Sequence, residues 1–395
     1  MSEYGKLLKL EPCAVTKPWG LVHEQVREVT GIELGIGEFW LASAQTGEGN
    51  YSNPLTDDAA ADLAGLLEQA DGEGDEAMET LLGGHGLKAL RSIAHRGKTE
   101  AWYVRQARGR AGFVCGPRTS GQKDRLKQMV EDQAIPPRLG DWSVETQELM
   151  GVLEPVSAGE CYLVPCGTLH TMFALGDEGR LVIDELQEGY GESRLPTLTK
   201  TLMVQDDILS LQVHPCDETV ARMASGELSI EQDLQLDPTV RVYDFGRGRN
   251  ERPELGFRLT QPDAGVRKCS PVQTELSDGV RLTVLVVEDH LAKCRVDLAP
   301  GASCSPTPAT GSYRVLNCLS GEVALAGPEN ELILRRGETA LVPGCAEKDV
   351  SIEARRNSSV LDDCVPDPKL FREFLSTRGV SGEEVDALFD PPRAV

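Results

Sequence analysis

Short apolar runs rich in Val, Leu and Tyr, broken by Gly and Pro, recur over residues 100–115, 150–187 and 268–355. Their length and spacing predict antiparallel β structure. Two stretches follow another period. Residues 57–82 are rich in Ala, Leu and Glu with apolar positions three and four apart, and residues 122–134 form a second amphipathic stretch. Both predict helices inserted into a β framework and packed on it. Near the end of the chain Leu370, Phe371, Phe374 and Leu375 fall at helical spacing, and Ser381 with Glu384 makes a capping box. A terminal helical cap is expected. One tract also echoes another: GECYLVPCGTLH (residues 159–170) and GETALVPGCAEK (337–348) share a Gly and, at the same offset, Leu-Val-Pro. We read this as a duplicated β domain.

Composition narrows the function more than the fold. A chain of 395 residues holds two to three structural units at a prior of ~150 residues each. The 40% hydrophobic and 26% charged residues are those of an ordinary globular protein, and no apolar run nears the ~18 residues that span a bilayer. The first residues lack a basic segment followed by an apolar one, so a cytoplasmic location is expected. A net charge of −23 argues against nucleic acid and anionic membranes as partners, and an anionic substrate would need a locally basic pocket. The 11 cysteines are scattered, odd in number and without a C-x-x-C pair, which predicts reduced, mostly buried thiols.

Gly159, Pro165, Gly167 and His170 have the spacing G-x5-P-x-G-x2-H. This resembles the second motif of the cupin superfamily, whose histidine points into a small jelly-roll barrel as a metal ligand. The later copy keeps Gly337 and Pro343 but has Cys345 and Lys348 in place of the glycine and histidine. Upstream of it, between Gly301 and Gly321, Thr307, Ala309 and Arg314 stand where that resemblance would put His, His and Glu. Cations at ligand positions repel a divalent ion, so the second barrel is expected to be metal-free.

Other segments resemble one cupin family, the type I mannose-6-phosphate isomerases. LSLQVHPCDE (209–218) is similar to its Q-x-H-P strand, GKTEAWYV (97–104) to its G-K-T-E-x-W-Y strand, and TVRVYDFGR (239–247) to its T-x-R-x-Y-D segment. KPWG (17–20) and GEFWLAS (37–43) resemble its W-G and E-x-W-x-x-S signatures. The likeness covers roughly residues 10–258. It departs from the family's bacterial members in order: here Q-V-H-P follows G-K-T-E and G-T-L-H, where in them it precedes G-K-T-E. A second tract, RNERPEL (249–255), resembles the N-H-K-P-E-L segment of other members, so Glu254 competes with Glu100 for one ligand position. His95 has the spacing of a plain cupin ligand and competes with His214; His23, His85 and His290 stand in unmatched contexts.

The resemblance implies a mainly β protein with helical insertions near residues 55–95 and 120–135. It divides into a catalytic cupin over 1–265, a degenerate cupin over 266–365 and a helical cap over 366–395. It further implies a zinc site, or one for another divalent transition metal, made by Gln212, His214, Glu100 and His170, with Glu254 in reserve. Such a site would serve a monomer or homodimer that interconverts mannose 6-phosphate and fructose 6-phosphate through an enediolate. Arg241, then Lys98, are the cations expected beside the enediolate, with Arg252 taking the place of Lys98 if the Glu254 segment is the working one. Lys17, Trp19, Arg252 and Arg247 are expected substrate contacts, while the proton-transferring group stays open between water, a lysine and a carboxylate. The alternatives are a non-catalytic sugar-phosphate-binding or metal-binding cupin, and an iron-dependent cupin oxygenase.

Overall fold

The computed structural model describes residues 3–21, 36–43, 53–54, 63–92, 96–189, 195–225, 239–247 and 249–394. His23 and His95 lie outside them, as does the start of the first expected helical insertion. The protein is mainly β, with antiparallel ladders throughout. One sheet runs, strand beside strand, through Arg267–Lys268, Cys161–Val164, Glu100–Val114, Thr171–Glu188, Thr197–Gln205, Ile36–Ala42 and Cys13–Leu21. A second runs from Val272–Ser277 through Val280–Val287, Ala292–Leu298, Ser358–Cys364 and Arg314–Ser320 to Thr339–Val342. The chain's own beginning extends it: Leu8–Glu11 pairs with Thr339–Val342, Leu8 opposite Leu341, and Asn53–Pro54 pairs on its other side. The N-terminal strand is therefore stitched into the C-terminal sheet.

Register decides what faces what. Glu100 lies opposite Gln187 and Trp102 opposite Glu185; Glu185 in turn lies opposite Lys200, and Lys200 opposite Trp40. Cross-strand partners and residues two apart share a face. These polar and aromatic residues thus line the inner face of the first sheet beside Val104, Ile183 and Leu202, which belong to its core. The opposite face packs Ala101, Tyr103 and Leu186 against Leu285 and Leu361 of the second sheet. Ion pairs and hydrogen bonds complete that seam. Arg105 joins Asp184 at 2.7 Å and Asn317 at 2.8 Å, and fully buried Lys293 holds Asp363 at 2.8 Å.

The helices fit the periodicity, with three short additions among the described residues, Val144–Met150, Asp217–Ala224 and Pro253–Leu259. Leu63–Glu73, Asp75–Leu90 and Ser120–Glu131 fall in the expected insertions, and the last is capped by the Thr119 side chain. Val144–Met150, whose cap is Ser143, is short and carries no periodic signal strong enough to have been read. Helix Asp75–Leu90 kinks at Gly83, where φ is +75° and an added Cβ would lie 2.2 Å from the Gly311 carbonyl. Only glycine lets the insertion seat this closely on the second sheet. Pro368–Thr377 and Gly382–Phe389 form the terminal cap, with the Ser381–Glu384 capping box in place. All 11 cysteines are free, and only Cys345 is exposed. Among the described residues no helix is long and apolar enough to cross a membrane.

Arg314 sits inside the second sheet on the face of Leu316 and Cys318, wholly buried. Its guanidinium donates to Glu347 at 2.8 Å, to Asp362 at 2.7 Å and to the Pro308 carbonyl. Glu347 also accepts from the backbone N–H groups of Thr310 and Gly311. The residue read as blocking a metal site is thus itself the cation at the centre of a buried charge cluster.

Candidate metal centre

Three segments distant in sequence converge at one end of the first sheet. Strand Glu100–Val114 supplies Glu100, the turn after Cys161–Val164 supplies His170, and the end of strand Leu211–Val213 supplies His214. Their ligand atoms lie within 4.8 Å of one another, and all three side chains are buried. Reciprocal backbone bonds explain the convergence: His170 N–H donates to Gln212 O at 2.8 Å, Gln212 N–H to His170 O at 3.0 Å, and Gly167 N–H to His214 O at 2.8 Å. Gly97 closes the third side, since a Cβ there would lie 2.3 Å from the Pro215 carbonyl. The late Q-V-H-P segment thereby folds back beside G-T-L-H and G-K-T-E, and the rearranged order does not separate the donors.

Glu100 Oε1 lies 3.1 Å from His214 Nε2 and 2.7 Å from the Lys98 ammonium, and Oε2 accepts from Trp102 Nε1 at 2.9 Å. His170 Nε2 is 3.8 Å from Glu100 Oε2 and 3.3 Å from Gln212 Nε2. His170 Nδ1 donates to the Thr168 carbonyl at 2.9 Å. That bond leaves Nε2 as the basic nitrogen facing the cluster. Neither ring nitrogen of His214 has an aligned hydrogen-bond partner, its contact to Glu100 notwithstanding, and the same is true of Glu100 Oε1. Burial opposes the Glu100 charge, but Lys98 together with both histidines outweighs it and holds the carboxyl well below the usual range. Burial, reinforced by Lys98, pulls His214 down to about 4, and burial also lowers His170. One carboxylate and two neutral imidazoles, dry and with orphaned donor atoms, are a fitting set for a divalent transition metal.

The other expected site residues divide. Gln212 stands beside His170, and its cross-strand partner is Arg241, so the two side chains share a face. Arg241 is partly buried, donates to the Asn250 carbonyl at 3.2 Å and approaches Asp244 at 3.9 Å. Asp244 is fully buried and also grips Arg249. Lys17, Arg247 and Arg249 gather round the buried Trp19 ring, at 5.9, 5.7 and 4.7 Å from its centre. The reserve ligand Glu254 stands corrected: it is exposed in the first turn of helix Pro253–Leu259 and outside the cluster. Arg252 caps that helix through its backbone. Proline and the helix start turn the RPEL tract outward, whereas Glu100 begins an inner strand.

Glu185 escaped the sequence reading. It faces inward beside Trp102 and lies 3.0 Å from Lys200, whose ammonium rests 4.7 Å over the Trp40 ring. Burial, then the nearby Glu100 charge, pushes its carboxyl up to about 7. The tract LVIDELQE carries four polar residues, and nothing in it singles out Glu185 and Gln187 from Asp184 and Glu188.

Glu188, on the outward face, offers a separate test of burial. Its carboxyl accepts from Thr99 N–H at 3.0 Å, yet burial still lifts it from 4.5 to about 7. The folded state then binds the proton more tightly than the unfolded one, so stability is fullest below the lower value and falls as pH rises through the higher. We expect Glu188→Gln to remove roughly 3 kcal/mol of that decline, measured by urea unfolding at pH 4.5 and 8. Parallel wild-type and variant profiles would show that Glu188 ionises normally.

No family model matches the chain. A mannose-6-phosphate isomerase of Streptococcus mutans is 21% identical over 259 residues, 65% of this chain and 61% of that protein. The chain thus spans about three fifths of the length of this curated relative. Among solved structures, the mannose 6-phosphate isomerase of Bacillus subtilis superposes with a TM-score of 0.54 at 17% identity, covering 90% of this chain and 99% of that one. A zinc-bound mannose 6-phosphate isomerase matches at 0.51 and 12% identity over 91% and 99% of the two chains. Fold and site together define a mainly β protein with a buried Glu–His–His cluster that could hold a metal ion. The particular cupin fold is the one seen in the mannose-6-phosphate isomerases.

Proposed function

We propose that the protein is a zinc-dependent aldose–ketose isomerase that interconverts mannose 6-phosphate and fructose 6-phosphate. The observation that carries this reading is the meeting of Glu100, His170 and His214, with Gln212 beside them, from three motifs in a rearranged order. All three relatives described above are mannose-6-phosphate isomerases by name, one of them zinc-bound. A metal at this cluster would supply Lewis acidity toward the sugar's C1 and C2 oxygens.

The chain's own residues have the remaining work. A proton must leave one carbon and return to its neighbour, with an enediolate between. Glu185 is suited to carry it, because a carboxyl titrating at about 7 exchanges protons in both directions near neutrality. Arg241 shares a face with Gln212 and is the guanidinium that balances the enediolate charge, with Lys98 beside Glu100 as the second cation. The basic group round Trp19, Lys17 with Arg247 and Arg249, is the reading's phosphate end, with Arg252 nearby in sequence. In this reading residues 1–265 form the catalytic domain and 266–365 the metal-free one.

A coupled assay of mannose 6-phosphate conversion tests it. Activity should vanish on chelation and return with zinc; a metal-loaded protein that binds the sugar phosphate without turnover would instead be a non-catalytic cupin. Glu185→Gln and Arg241→Ala should each keep the metal and lose roughly 100-fold or more in turnover. If either variant runs at the wild-type rate, its role is wrong.

A further inference from the structure

Gln187 is fully buried, and neither its amide oxygen nor its amide nitrogen has a hydrogen-bond partner. Buried amides are almost always paired, and an unpaired one marks a place where a missing partner completes the bonds. A methionine or leucine would fill the same space without that cost. The register places Gln187 directly opposite Glu100, so its side chain lies on the inner face against the metal-competent cluster. Its polar neighbours are engaged elsewhere: Glu100 with Lys98 and Trp102, Glu185 with Lys200. An amide offers one donor and one acceptor a short distance apart, which matches two adjacent hydroxyls of a sugar chain.

We propose that Gln187 is a substrate-binding residue whose amide holds two neighbouring hydroxyls of the polyhydroxy chain beside Glu100. This rests on the sugar-phosphate reading above. The amide selects ligands that carry vicinal hydroxyls at that position and rejects those that are deoxygenated there, because only the former satisfy both of its ends.

The test is calorimetric titration of the zinc-loaded wild type and Gln187→Met with a hexitol 6-phosphate, which keeps the hydroxyl chain and phosphate but has no carbonyl to turn over. Gln187→Met should bind roughly ten- to a hundredfold more weakly, retain one metal per chain, and melt no lower than the wild type without ligand. Three results overturn the assignment: equal affinity, loss of the metal, or a melting temperature several degrees lower, the last meaning that the amide is structural. Failure of the isomerase reading looks different. There the wild type binds the hexitol phosphate through Gln187 and yet converts no mannose 6-phosphate. A wild type that turns the sugar over while Gln187→Met matches its affinity removes this assignment alone.

Discussion

His214→Ala protein should emerge from dialysis without metal and without turnover, whereas Glu254→Gln protein should keep both. The cluster offers one carboxylate and two imidazoles; removing an imidazole leaves too few donors for an ion that prefers four ligands, and affinity should fall by more than about 100-fold. Turnover should fall by roughly a thousandfold, since losing the Lewis acid removes several kcal/mol of charge stabilisation. Thermal unfolding supplies an independent readout. Wild-type protein should gain stability on adding zinc, because the ion binds the folded state, and His214→Ala should not. Without metal the two should melt alike, as both His214 nitrogens lack an aligned partner. Metal loss in Glu254→Gln would return Glu254 to the ligand set.

Arg314→Met should be the most destabilising single change outside the site. It leaves Glu347 and Asp362 buried with no counter-charge, and breaking such a cluster from one side costs roughly 3–5 kcal/mol. Denaturant unfolding near neutral pH measures it. The loss should shrink at low pH, where both carboxyls can take up protons and the uncompensated charge disappears. Zinc binding by the surviving fold should be unaltered, since Arg314 belongs to the second sheet. A variant as stable as the wild type would mean that the cluster adds nothing beyond the apolar core around it.

Each candidate ligand was legible because its motif is local. G-K-T-E, G-T-L-H and Q-V-H-P each place a donor next to Gly or Pro within a few residues, and such turns are written in short spacing. Their order could not reveal whether they meet. That depended on the paired backbone bonds between His170 and Gln212 and on the space that Gly97 leaves for Pro215. Glu254 stood in reserve to Glu100 on a similar tract, and the helix that begins at Pro253 turns it outward. Glu185 and Gln187 were hidden for a related reason. A polar residue in an apolar strand reads as solvent-facing unless the strand's neighbours are known on both sides.

The sequence by itself determined the β framework, the helical insertions and cap, the strongly acidic charge, and the identity of four candidate donors. These follow from periodicities and turns a few residues long. Tertiary structure alone decided that the donors converge, that an internal ion pair and an unpaired amide share their face, and that the first strand joins a sheet of the C-terminal half. Such facts rest on strand register and on contacts between residues up to several hundred positions apart, as between Leu8 and Leu341. Local chemistry cannot encode them, because the energy that selects them comes from burying one segment against another.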